Sequence, residues 1–137
     1  MTSIASLGAE EYISLTTFRR DGSGVATPVW VMADHDHLYV ITDAASGKAK
    51  RLANFARVMV APCDMRGTVT GASVDATAEL LDAAGTDRVH QLLTAKYGWK
   101  ARLFTTMSRI RHPRSSPDRI GIRITLTTPR LGLAGPD

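Results

Sequence analysis

Apolar and polar residues alternate with a period of two over most of this chain, and a helical period replaces that alternation in two places. Residues 12–19 (YISLTTFR) are β-branched and aromatic and predict a strand. The turn cluster Arg20-Asp21-Gly22-Ser23-Gly24 makes a hairpin with a second strand over residues 25–33 (VATPVWVMA). Pro28 inside that strand has no N–H to give to a ladder, which marks an edge, a strand start or a bulge. After a polar turn at residues 34–37, Leu38, Val40 and Thr42 alternate with Tyr39 and Ile41 as a third strand. Residues 57–62 (RVMVAP) read as a buried fourth strand. Residues 68–81 read as a long fifth, with Thr68, Thr70, Ala72, Val74, Ala76 and Ala78 on one parity and Gly71 favouring a bend. Residues 119–127 (RIGIRITLT) alternate cleanly and close the set.

The helical period appears first at Ala49, Leu52, Ala53 and Ala56, behind Ser46 as N-cap. It appears again at Val89, Leu92, Leu93 and Lys96, with Gly98 as a cap or interruption, and continues through Trp99, Leu103, Met107 and Ile110. Residues 1–9 are expected to be a loose lead-in, residues 111–118 a loop, and residues 129–137 a flexible tail. The predicted order is β-β-β-α-β-β-α-β. Few connections have the length of a parallel crossover, so the expectation is a mainly β protein, an antiparallel sheet closed into a small barrel with flanking helices. Residues 1–137 form one domain, with its core over about residues 10–126.

Charge changes this picture at one point. A helix N-terminus carries free N–H groups and partial positive charge, and favours acidic neighbours. The helix after the third strand instead starts with Lys48, Lys50 and Arg51. Cations there are mildly unfavourable unless an anion joins them, and amides plus basic side chains at a helix start make a phosphate site. The alternative is an ordinary solvated helix face.

Composition adds bounds. The 137 residues are 44% hydrophobic and 22% charged, which suits a globular chain. No apolar run approaches the roughly 20 residues of a membrane span, and residues 1–11 have no signal-peptide pattern. The single cysteine, Cys63, cannot form an internal disulfide, which points to the cytoplasm. The net charge of +4 suits an anionic ligand.

Other chemistry is sparse. His35 and His37 lie in a hairpin turn with no third ligand, so no metal site is expected. Cys63 has no base placed to activate it and reads as a small buried hydrophobe. Trp30 reads first as core or interface. Arg66 follows a turn and suits either an anion or a partner's carboxylate. The cluster Arg102, Arg109, Arg111 and Arg114 suits an anionic tail, a partner or RNA, with RNA the weaker choice for want of interleaved stacking aromatics. No catalytic triad or carboxylate pair is present by spacing.

Three motifs in this order carry a resemblance: Thr27-Pro28-Val29-Trp30, then Thr42-x-x-x-Ser46-x-Lys48-Ala49, then Ala61-Pro62-Cys63-Asp64-x-Arg66-Gly67. Together they resemble the pyridoxamine 5'-phosphate oxidase-like split-barrel family, most of all its actinobacterial branch that uses the deazaflavin coenzyme F-420. The resemblance implies a six-stranded antiparallel split β-barrel that forms homodimers, with cofactor sites in clefts between subunits. It implies that Ser46, Lys48 and Lys50 or Arg51 take the cofactor phosphate. It also implies that the ring lies along Thr27, Pro28, Val29, Trp30, Ile41 and Thr42, and that the turn of Cys63, Arg66 and Gly67 approaches the cofactor or the dimer seam. Two departures count against true pyridoxamine phosphate oxidase activity: residues 25–27 hold no arginine, and RITLTTPRLG lacks the family's C-terminal arginine and histidine. The activity implied is an F-420-dependent reductase that passes hydride to an electron-poor organic acceptor. An FMN-binding oxidase or carrier is the alternative, and a non-catalytic haem or nucleic-acid module on the same barrel is a third.

Overall fold

The computed structural model describes residues 3–98 and 119–127. Among these residues there are seven strands: β1 (Tyr12–Phe18), β2 (Gly24–Trp30), β3 (Met32–Asp34), β4 (His37–Asp43), β5 (Arg57–Cys63), β6 (Val74–Leu80) and β7 (Arg119–Leu126). Three helices accompany them, α1 (Ile4–Gly8), α2 (Gly47–Asn54) and α3 (Ala83–Tyr97). All strands join one antiparallel sheet in the order β2-β1-β5-β6-β7-β4-β3. Its two outermost strands, β2 and β3, are separated in sequence only by Val31. One residue therefore ties the two ends of the sheet together, and the sheet curls into a half-barrel.

Directly opposed residues on neighbouring antiparallel strands share a face. Leu15 is opposite Thr27 and Val60, Ile13 opposite Val29, and Leu38 and Val40 opposite Ile124 and Ile122. These rows fill the inside, where Ile13, Leu15, Leu38, Val40, Val58, Val60, Ile122 and Ile124 are all fully buried. Each such side chain contributes about 1.5–3 kcal/mol relative to exposure. Leu7 of α1 and Leu52 of α2 join the same core, α1 packing near Leu38 at the start of β4 and α2 following its end. Outside the sheet, α3 buries Val89, Leu93 and Tyr97 against Met32, Trp30, Tyr39 and Ile41. It crosses β7 at Gly121, where a Cβ would stand 2.9 Å from Val89 Cγ2 and 3.2 Å from Thr86 Cα.

The end of α3 also fixes Val31. The Val31 N–H donates to Tyr97 Oη at 3.1 Å, and the single Tyr97 O–H proton lies between the carbonyls of Val31 and Glu11, each 2.8 Å away. Lys96 Nζ donates to the carbonyls of Gly8, Glu10 and Val31 at 2.8, 2.6 and 2.7 Å.

The architecture matches the expected mainly β barrel with flanking helices, with three corrections. Residues 1–9 are not a loose lead-in: residues 4–8 are helical, capped by reciprocal Ser3–Ser6 bonds, and Leu7 is fully buried. The expected second strand breaks at Val31, because both of its backbone groups are drawn out of the ladder towards Tyr97; this makes seven strands of six. The expected fifth strand shrinks to Val74–Leu80, since β5 ends at Cys63 and only Val69 bridges back to it. The helix continuation over 99–110, the loop over 111–118 with the arginine cluster around it, and the tail over 129–137 lie outside the described residues. Among the described residues no helix is long and apolar enough to cross a membrane.

Candidate functional site

The start of α2 collects cations around a free helix end. Ser46 caps it, accepting from the Ala49 N–H at 3.2 Å. The Thr42 hydroxyl donates to the same Ser46 oxygen at 3.3 Å, so that oxygen keeps its own proton to offer. The amides of Gly47 and Lys48 belong to the first turn and have no partner within the helix. Side chains on a helix lean towards its N-terminus, and Arg51 folds back in this way. A Cβ on Gly47 would stand 2.7 Å from Arg51 Nη1, so glycine there makes room for the guanidinium. Arg51 Nε donates to Thr17 Oγ1 at 2.6 Å, and Thr17 is fully buried at the end of β1. The guanidinium is thereby pinned beside the helix start.

Electrostatics single out Lys48. Burial, then the charge of Arg51, pushes its pKa below the usual lysine value, and Asp43 opposes them. Asp43 pairs in register with Arg119, whose pKa burial lowers and Asp43 supports. Lys48 and Arg119 thus share one carboxylate, Asp43, while the half-buried Lys48 ammonium also faces the like charge of Arg51. An anion at the helix end relieves that repulsion.

The other predicted site residues divide. Thr27 and Val29 face into the half-barrel, opposite Leu15 and Ile13. Pro28 and Trp30 take the alternate parity on the outer face. Ile41 also faces outward, under α3. Lys50, in the first turn of α2, and Arg66 are exposed. The turn from Cys63 to Gly67 is held by Asp64 Oδ1, which accepts from the Arg66 and Thr68 N–H groups at 2.9 and 3.0 Å. Gly67 has a φ of +88°, and its Cβ direction meets Pro28, so the turn leans on β2.

A second grouping lies at the opposite end of β1 and β2. Tyr12 is opposite both Trp30 and Cys63. Together with Glu10, Glu11, Asp64, Met65 and Thr70 they line an open cavity of about 600 Å³. Trp30 stacks on Tyr97 with ring centroids 4.6 Å apart. Cys63 is buried, and burial, Asp64 and Glu10 all raise its pKa, which keeps the thiol protonated. Of the two turn histidines, His35 is exposed, while His37 Nδ1 lies 3.1 Å from Thr125 Oγ1.

The residues missed from sequence are Thr17, Asp43 and Arg119 at the basic end, and Glu10, Glu11 and Tyr12 at the cavity. Thr17 carried a faint signal, since it shares the inward parity of Ile13 and Leu15.

The family profile described as pyridoxamine 5'-phosphate oxidase matches residues 5–131 of the chain. None of the curated proteins matches. Among solved structures, a conserved hypothetical protein of Mycobacterium tuberculosis is similar with a TM-score of 0.66 and 22% identity, over 93% of this chain and 82% of that one. A structure named as an F420 reductase is similar with a TM-score of 0.57 and 17% identity, over 93% and 95% of the two chains. The haem storage protein HutZ of Vibrio cholerae is similar with a TM-score of 0.64 and 11% identity, over 88% and 84%. At these identities the likenesses show a shared fold.

Proposed function

The chain belongs to the pyridoxamine 5'-phosphate oxidase family, and on that premise we propose that it is a cofactor-dependent oxidoreductase, with coenzyme F-420 as the cofactor and an electron-poor organic compound as the acceptor. The observation that carries the reading is the start of α2, where free amides, the Ser46 hydroxyl, Lys48 and Arg51 surround a seat with the chemistry of a phosphate site. When bound, a reduced deazaflavin supplies hydride, and the chemistry is the cofactor's own. The chain's residues hold and orient. The Ser46 hydroxyl and the Gly47 and Lys48 amides would donate to one phosphate, Lys48 and Arg51 would neutralise it, and Thr17 keeps Arg51 in place. The outer face of β2, with Pro28 and Trp30, supplies a wall. In the proposed dimer a second copy completes the cleft, and sedimentation at micromolar concentration tests it: a monomer removes that part of the reading.

FMN is the second reading. It draws on the same groups, since Ser46, Lys48 and Arg51 suit the single terminal phosphate of FMN as well as a phosphodiester.

Titration with each cofactor separates the two. Quenching of F-420 fluorescence at micromolar concentration, with weaker binding of FMN, is the expected result. Lys48→Ala should weaken binding about tenfold or more, which is about 1.4 kcal/mol. Lys50→Ala should weaken binding less than Lys48→Ala, because that side chain is exposed and its charge is screened by solvent. A Lys48→Ala variant that binds as tightly as the unaltered chain would refute the seat.

A further inference from the structure

We propose that Thr17 is a positioning residue for the seat at the start of α2, and that through it Arg51 recognises the ligand phosphate by direction as well as by charge. The proposal rests on the reading of that helix start as a phosphate seat.

Thr17 is out of keeping with its own row. Ile13 and Leu15 share its inward parity on β1 and, like it, are fully buried. A valine would fill the position with no polar atom to satisfy, and a buried hydroxyl is costly unless it is hydrogen-bonded. The partner of this hydroxyl is Arg51, whose Nε donates to Thr17 Oγ1 at 2.6 Å. A core position thus carries a polar group matched to a half-buried side chain of another element.

The bond decides which edge of the guanidinium is offered. The group is planar and rigid, and presents its donors in a fixed fork. Thr17 takes the Nε side. A Cβ on Gly47 would stand 2.7 Å from Nη1, 3.4 Å from Cζ and 3.5 Å from Nη2, so the rest of the fork lies against the first residue of α2. Among the described residues, Thr17 is the only hydrogen-bond partner of the Arg51 side chain, which leaves the Nη1 and Nη2 donors for a ligand beside the Gly47 amide. An untethered arginine carries the same charge, but its side chain must be immobilised when the ligand arrives. With Thr17 in place that ordering is completed when the chain folds. Lys48 and Arg51 then differ in role. The lysine is a compact charge on a flexible stem, and the arginine is a pair of donors set in advance.

A double-mutant cycle on the full chain tests the proposal, read by fluorescence titration with whichever of F-420 and FMN binds more tightly. Thr17→Val keeps the branched shape and every charge of the seat, yet should weaken binding about fivefold through loss of a preorganised charge-assisted contact. It adds an apolar group to an apolar row, so folding is not at stake. Thr17→Ser keeps the hydroxyl and should bind within about twofold of the unaltered chain. In an Arg51→Ala background, itself weakened, Thr17→Val should have no further effect. Equal weakening in both backgrounds would mean that Thr17 acts through the packing of α2 on β1, and it overturns the proposal. Weaker binding in Lys48→Ala with none in Thr17→Val overturns this proposal and leaves the seat standing. If the unaltered chain binds neither cofactor, or Lys48→Ala binds as tightly as it does, the seat falls and this proposal falls with it.

Discussion

Two lysines with depressed pKa values sit at opposite ends of the half-barrel, and they are depressed for different ends. Lys96, at the last turn of α3, has given its ammonium to three carbonyls and lies near Glu10 and Glu11. Its desolvation is compensated within the chain, and what it holds together is the meeting of the α1 exit, the start of β1 and the break at Val31. Lys48, at the first turn of α2, is also desolvated, but Arg51 beside it adds repulsion and only Asp43 opposes. Its charge is left for something outside the described residues. The comparison teaches that burial of a lysine says little by itself. The partners that compensate the burial separate a structural pin from a ligand seat.

The largest effect expected is at the pin. Lys96→Met should lower stability by about 1.5–3 kcal/mol, the range for hydrogen bonds to a charged group, measured as a shift in the urea unfolding midpoint. Lys48→Met should leave the midpoint unchanged or raise it, since a crowded cation is removed. If the two variants lose stability equally, the contrast fails.

A smaller effect of mixed sign is expected at Gly47. Gly47→Ala should gain up to about 1 kcal/mol in helix propensity. It should also displace the Arg51 guanidinium, and so weaken cofactor binding roughly fivefold, or about 1 kcal/mol. Tighter folding with weaker binding is the signature. Unchanged binding would mean that the guanidinium takes no part in the seat.

The smallest effect is in pH dependence. The folded pKa of Lys48 is below its unfolded value, so its charge opposes folding at neutral pH. That penalty is relieved as pH rises from the depressed value towards 10.5. A bound anion raises the pKa again. Affinity should therefore be fully present below the depressed value and fall as pH rises through it, with proton uptake on binding in that window. Calorimetry in two buffers of different ionisation enthalpy measures the uptake, which Lys48→Met should abolish.

Much of the fold was legible in the chain because strand parity and caps are local signals. Ser46, the alternation of Leu38, Val40 and Thr42, and the Ile run of β7 each announce an element within a few residues. What was missed depends on distant partners. VATPVWVMA reads as one strand, and nothing within it tells that Tyr97 will claim both backbone groups of Val31. Residues 4–8 are too short to show a period, and their helix is secured by burying Leu7 in a core built from other strands. At the site, Lys48 and Arg51 stood out because cations occupy the wrong end of a helix. Thr17, Asp43 and Arg119 did not, because the chain brings them there by strand pairing. Glycine at 47, four residues before Arg51, was readable only once the fold-back of that side chain was seen.

The place of β7 has a consequence for how the protein is made. This strand lies between β6 and β4, pairing with both. A nascent chain emerging in order therefore builds β4 and β6 before their common partner exists, and each presents an unpaired edge in the meantime. Such edges are the usual points of entry for misassembly. The last described strand is thus also the one whose arrival ends the vulnerable interval, and shortening the wait for it favours yield over aggregation.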